Sequence, residues 1–309
     1  MLISFLSRKL QKIAIKVSTY FSPKPPYFTS NVLQKITNKF LNDPLLFCLA
    51  PLSLPIFYLI LLLPKHIRPK FGTLNVERLG HFGGDFMIRY SEVILHPNKQ
   101  NIIHTLSKSK SCNSFLYVFA KRNLRCSYIA RIYLTLAHAM PLTRSLHEPT
   151  PGSDYFDTHS RDLLGITQQT KNPIFTTEEN NAAKRWLMSK GWTESKPIVC
   201  MLNRDPAYLK TLYEFSTAYH DFRNCPIHTY KHAAEWLIDY CDAFVIRMGK
   251  IAEERLSLDT KSFVDYPFIH DQSDFLDVWL WINCDFFISC GTGPDIMSSY
   301  SKNPGIYLN

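Results

Sequence analysis

Acidic residues are almost missing from the first 70 positions. Asp43 stands alone there against 10 Lys and Arg, while Phe71 to Asn309 carry 25 bases and 25 acids, so the formal charge of +9 resides in the N-terminal arm. A nucleic-acid-binding enzyme spreads basic side chains over its working face. A neutral globular part argues against that class, and a basic arm beside apolar sequence fits an anionic membrane surface better. Metal and redox signatures are missing as well. None of the 8 Cys lies in a C-x-x-C pair and no Cys/His spacing matches a zinc site, so they read as free thiols of a reducing compartment. The chain has no G-x-x-x-x-G-K-[ST], which disfavours a P-loop nucleotidase, and no G-x-S-x-G elbow. Neither of its glycine loops is a G-x-G-x-x-G with an acid about twenty residues on, as a nicotinamide site needs.

What is present falls into three stretches. Leu2 to Phe21 repeats apolar residues at helical spacing, with Arg8, Lys9, Lys12 and Lys16 mostly opposite, the pattern of an interfacial helix or of one packed on the protein's own core. No small-residue cleavage site follows it, which disfavours a signal peptide. Leu45 to Leu63 is uncharged for nineteen residues, just long enough to span a bilayer, but Pro51 and Pro55 disfavour a straight span. A kinked anchor on the cytoplasmic face of the membrane is the first expectation, a true span the second and a buried core helix the third. Residues 1–70 are therefore read as a membrane-associating segment.

From Phe71 the sequence becomes globular. Thr73 to Leu79 reads as a strand, Gly80 to Asp85 (GHFGGD) as a glycine-rich loop and Phe86 to Leu95 as a helix. Ile102 to Leu106 and Asn113 to Ala120 read as strands, Ser127 to Ala139 as a helix, and 141–176 as a proline-containing connector. After it, helices are expected at 178–190, capped by Thr177, at 227–241, and at 274–283, capped by Ser273. Strands are expected at 198–202, 243–246, 263–266, 286–288 and 305–308. This alternation predicts an α/β fold with largely parallel sheets, divided as 71–176 and 177–309. A closing helix is expected beyond the last strand, so the chain reads as a fragment or a shortened relative.

Chemistry is expected where strands end. Asp285 to Tyr300 (DFFISCGTGPDIMSSY) reads as strand, Gly291-Thr292-Gly293 loop and helix start, an arrangement whose backbone N–H groups and dipole suit a phosphate. Arg204 and Asp205 follow one strand and Arg247 another, and two arginines at a sheet edge suit a diphosphate. The plainer alternative is an ion pair of Arg204 with Asp205 or Asp221. His81 and Asp85 sit in the first glycine loop, where a surface histidine and a helix cap are the plainer alternatives. There is no D-x-D pair to hold a metal, so Arg, Lys and helix N-termini would have to neutralise leaving phosphates.

The run NRDPAYL from Asn203, YHDFRNCPIHTY from Tyr219, VIRMGK from Val245 and SDFLDVWLWINCDFFISCGTG from Ser273 resembles a family of bacterial glycosyltransferases of GT-B type, associated with surface polysaccharides. The likeness covers 177–309 in order, and RLGH from Arg78 resembles that family's first N-terminal loop more loosely. The resemblance implies two Rossmann-like domains, an acceptor domain at 71–176 and a nucleotide-sugar domain at 177–309. It implies transfer of a sugar from a nucleotide-sugar to a lipid-linked or polysaccharide acceptor; the missing D-x-D adds the expectation of no metal or cofactor, and the charge distribution that of no nucleic-acid partner. It supports Arg204, Asp205, His220, Arg223, Asn224, Arg247, Gly249, Gly291, Thr292 and Gly293 as substrate-binding. Asp85, His81 and Asp205 are the candidates for the general base, and the sequence does not choose among them. The alternative is a membrane-tethered relative of such enzymes that binds without catalysis.

Overall fold

The structure is a computed structural model and describes residues 44–96, 101–106, 111–139, 146–148, 162, 164–212 and 224–308. The described residues fall into two compact units. One draws on positions up to Lys70 and on Ile129–His147; the other comprises Phe71–Tyr128 and Glu148 onward. The boundary expected at 176/177 falls inside this second unit.

In the first unit, α1 runs Pro44–Leu62. Among the described residues no helix is long and apolar enough to cross a membrane. The side chains at Ser53 and Phe57, one turn apart, are buried, while Ile56, Leu59 and Leu62 face outward. Phe57 stacks on Tyr133, with ring centroids 6.2 Å apart. The Arg68 guanidinium donates to the carbonyls of Leu61 and Leu63, occupying acceptors that the end of α1 leaves over. The amphipathic stretch expected at 2–21 lies outside the described residues.

The second unit opens with β1 (Lys70–Thr73), α2 (Leu79–Leu95), β2 (Ile102–Thr105) and α3 (Ser114–Asn123). Three expectations fail here. The strand predicted at 73–79 lies earlier, at Lys70–Thr73, and Leu79 already belongs to α2. The loop predicted at 80–85 is helical, and Gly80, Gly83 and Gly84 form one face of α2 against which the segment after β6 packs closely, at Gly80 too closely for a side chain. A Cβ on Gly80 would stand 2.5 Å from the Gly293 carbonyl carbon, and one on Gly84 would stand 3.1 Å from Ile296 Cδ1. The strand predicted at 113–120 is the helix α3. Asn113 Oδ1 accepts the Leu116 N–H at 2.7 Å and caps it, and the buried positions 116, 119 and 120 have helical spacing.

The remaining elements are α5 (Thr177–Ser189), β3 (Ile198–Leu202), α6 (Ala207–Leu212), α7 (Lys231–Cys241), β4 (Phe244–Arg247), β5 (Phe263–Asp265), α8 (Asp274–Asn283), β6 (Phe286–Ser289), α9 (Ile296–Tyr300) and β7 (Gly305–Tyr307), with α4 (Ala130–Ala139) belonging to the first unit. Thr176, one residue earlier than expected, closes a capping box with Glu179 over α5. Ser273 caps α8 as expected, its Oγ accepting the Leu276 N–H at 3.1 Å.

The five strands β3–β7 form one sheet of order β5-β4-β3-β6-β7, and every neighbouring pair is parallel. Both faces are covered. Ile198, Cys200 and Leu202 share a core with Leu280 of α8 and Phe86 of α2, while Val199 and Met201 pack with Tyr230 and Ala234 on the α7 side. That is why β3 is an unbroken apolar run. Phe119 of α3 meets Phe175 at 4.8 Å, and Phe115 meets Phe275 of α8 at 5.0 Å, so aromatic rings tie the 71–128 segment to the helices over the sheet.

The glycine face of α2 yields a stability test. Gly80→Ala drives a methyl into the backbone of Gly293, an overpacking that costs about 1–3 kcal/mol. Gly83→Ala meets the Met297 side chain, 2.5 Å from its Cγ, which can shift as backbone cannot, and the gain in helix propensity of about 1 kcal/mol partly offsets that contact. Urea denaturation of the two variants should separate them in that order, and equal midpoints would contradict the packing.

Candidate functional site

The order of the sheet locates the site. From β3 the chain moves outward through β4 to β5, then returns to the other side of β3 for β6 and β7. At such a reversal the loops beyond the two central strands part, and a crevice opens at their carboxyl ends. A cavity of about 500 Å³ lies there, within the second unit. Its wall takes Asn203, Arg204 and Asp205 after β3, Gly249 and Lys250 after β4, and Gly291, Thr292 and Gly293 after β6. Arg78, His81 and Asp85 reach it from α2 and the residue before it, and Asp277 and Trp281 from α8.

Of the residues singled out in the sequence, His81, Asp85, Arg204, Asp205, Gly249, Gly291, Thr292 and Gly293 are thus brought together. Asn224 is half-buried and does not line the cavity. His220 and Arg223 lie outside the described residues.

Arg247 does not line the cavity either, and the pleat gives the reason. Alternate residues of a strand face opposite sides. Ile246 and Met248 belong to the core beneath α2 and α8, whereas Val245 belongs to the core on the α7 side, and Arg247 shares its parity. Only 1% exposed, Arg247 pairs through Nη1 with Asp265 at 3.1 Å and donates to the Glu254 carbonyl at 2.5 Å. Its Nε donates to Asn203 Oδ1 at 3.2 Å. Burial pushes the Arg247 pKa down and that of Asp265 up, and each partner's charge opposes the shift of the other. A phosphate ligand was expected at this position; the structure has a buried tie between β4, β5 and the end of β3.

The Gly291–Gly293 loop also departs from expectation. Gly291 and Gly293 have φ of 68° and 110°, left-handed values that favour glycine. The Gly293 amide is not left for a ligand. The carboxylate of Asp295 accepts the Gly293 N–H at 3.0 Å and the Ser289 hydroxyl at 2.6 Å, while the Ile296 N–H donates to the Gly293 carbonyl at 3.1 Å. Asp295 is 2% exposed, and burial raises its pKa despite these donors. The helix that follows, α9, is only 5 residues long. One polar atom stays open: Thr292 Oγ1 is buried without a hydrogen-bond partner.

Asp205 is also occupied, its two carboxylate oxygens accepting the Ala207 N–H at 2.8 Å and the Glu253 N–H at 2.9 Å. Asp85 Oδ2 accepts the Asn75 N–H at 2.9 Å. Cys112 lines the cavity, but burial pushes its thiol up to about 12. Among the described residues no cluster of His, Cys, Asp and Glu could hold a metal ion.

Sequence reasoning missed Arg78, Lys250 and Asp277 as wall residues. Asp277 did leave a signal: it is a carboxylate between Leu276 and Val278 in the buried stripe of α8, where charge is rare. No protein-family model, curated protein or solved structure matches the chain.

The role of Arg247 is open to measurement. Arg247→Ala takes the guanidinium from the half-buried Asp265, which keeps only the Leu256 N–H among the described residues, a loss of about 1.5–3 kcal/mol. Thermal and urea denaturation should show a large drop in stability, and a variant as stable as the parent would rule out the tie.

Proposed function

We propose that the cavity binds the nucleoside-diphosphate part of a nucleotide-sugar, and that the protein transfers the sugar to a lipid-linked or polysaccharide acceptor. The observation that carries this reading is the position of the cavity at the reversal point of a doubly wound parallel sheet, with cationic side chains from three separate segments in its wall. Arg78, Arg204 and Lys250 supply that charge, and guanidinium groups bind phosphate oxygens bidentately. The buried, unpaired Thr292 hydroxyl adds a polar group at the same wall. Donor phosphates are assigned to these residues and not to Arg247. The β1-α2-β2 segment would serve as the acceptor side of a GT-B arrangement, a reading supported by the entry of α2 into the cavity wall at His81 and Asp85.

One observation favours a second reading. The resident Asp295 carboxylate occupies the Gly293 amide that a phosphate would otherwise use, which suits a protein that binds a nucleotide-sugar without consuming it. Release of nucleoside diphosphate from the sugar nucleotide separates the two.

Binding itself is tested with UDP, GDP, ADP and CDP in thermal-shift and titration experiments, because a ligand that binds only the folded state raises its melting temperature. At least one should do so. Arg204→Ala should weaken that ligand about tenfold, the scale of one charge-assisted contact. If none of the four shifts the transition, the donor-site reading falls.

The first unit supports membrane association. Its helix α1 presents Ile56, Leu59 and Leu62 outward, with Lys65, Arg68 and Lys70 directly after it. Apolar groups at the lipid boundary beside bases facing anionic headgroups make an interfacial anchor. Full-length protein should sediment with phosphatidylglycerol-containing vesicles, and Leu59→Asp with Leu62→Asp should release it. Retention of that double variant on the vesicles would dismiss this anchor.

A further inference from the structure

We propose that Asp277 is the general base of the cavity, the group that takes the proton from the acceptor hydroxyl; this rests on the sugar-transfer reading above. Three carboxylates line the cavity, and their partners separate them. Asp205 has both oxygens on backbone N–H groups, and Asp85 has one. A carboxylate held this way is a weak base, because the donors stabilise its charge. Asp277 accepts no backbone N–H among the described residues.

Asp277 projects from the buried side of α8 and is 8% exposed. The groups facing it are the Tyr266 hydroxyl, whose proton goes to the Ser273 carbonyl at 3.2 Å, the Lys250 ammonium and the Asp274 carboxylate. Lys250 is shared, since its Nζ lies 3.2 Å from Asp274. The Cys112 thiol senses the same two carboxylates and Lys250. Burial pushes Asp277 up to about 6, and Lys250 and Tyr266 only partly oppose this. A base is most effective when its pKa lies near the working pH.

The step is a single displacement. The acceptor hydroxyl proton passes to an Asp277 oxygen while the acceptor oxygen forms its bond to the anomeric carbon. The bond from that carbon to the diphosphate oxygen breaks, and its electron pair leaves with the nucleoside diphosphate beside Arg204 and Lys250. The anomeric configuration inverts. With water as acceptor, the same step hydrolyses the donor.

The test uses full-length protein, Asp277→Asn and Asp277→Glu, with UDP-glucose, GDP-mannose and ADP-glucose as probes. Asp277→Asn should keep its affinity for the nucleoside diphosphate and lose roughly 10²–10⁴-fold in diphosphate release, with partial recovery in Asp277→Glu. Wild-type release should fall as the pH drops through about 6. Unchanged release by Asp277→Asn overturns the assignment and leaves the transfer reading intact. A wild type that binds diphosphates but releases none from any probe overturns both, and so does one that binds none.

A second readout needs no activity. The folded pKa of Asp277, about 6, exceeds its ordinary 3.8, so the folded state holds the extra proton between these values and this group's contribution to stability declines as pH rises through that window. Asp277→Asn should lack this decline, so that it gains stability relative to the wild type as pH rises to neutral. A variant that keeps the full decline would show that the strained carboxyl is another one, and would count against Asp277.

Discussion

Backbone-to-backbone approach between α2 and the turn after β6 is the constraint on which the site depends. Gly80 lies against Gly293 so closely that no side chain fits at Gly80, and Gly84 lies against Ile296. Because α2 starts at this contact, the residues at its N-terminus enter the wall of a cavity otherwise built from strand ends. Aromatic packing between α3 and α8 holds the same segment a second time. The cavity is therefore a joint product of the 71–128 segment and the five-stranded sheet. The carboxyl edge of a parallel sheet alone offers a crevice open on one side.

Burial then sorts the charged groups of this region into two kinds. Asp205, Asp265 and Asp295 each accept backbone or guanidinium hydrogens and hold loops in place. The pair of buried Arg247 and half-buried Asp265 belongs with them, since a charge removed from water persists only when it is paired and hydrogen-bonded. Asp205 holds its loop from within the cavity wall, where Asp277, Arg78, Arg204 and Lys250 also lie. The chemistry proposed for this protein draws on that second group, and the rigidity of the wall draws on the first.

Much of the fold was legible in the residues. Strands 198–202 and 286–289 are short apolar runs between breakers, and both helix caps at Thr176 and Ser273 sit within a residue of where the pattern puts them. The strand ends that line the cavity followed from the alternation of elements, and eight of the twelve singled-out residues lie there. The failures have local causes. A glycine cluster reads as a loop when its neighbour in space is unknown, yet in α2 the glycines are what lets Gly293 and Ile296 come close. The run NSFLYVFA carries both strand and helix periodicities, and only the Asn113 cap together with the aromatic neighbours Phe175 and Phe275 selects the helix.

By itself the amino-acid sequence determined the class of fold, the parallel sheet and the confinement of excess positive charge to the N-terminal arm, because hydrophobic period, capping and charge position act over a few residues. Tertiary structure alone decided which charged groups serve the cavity. Arg247 turned to the other face through the parity of β4, Asp295 filled the glycine turn, and Asp277 stayed off the backbone donors. Each outcome depends on partners far away in the chain, whose distances and burial no local pattern encodes.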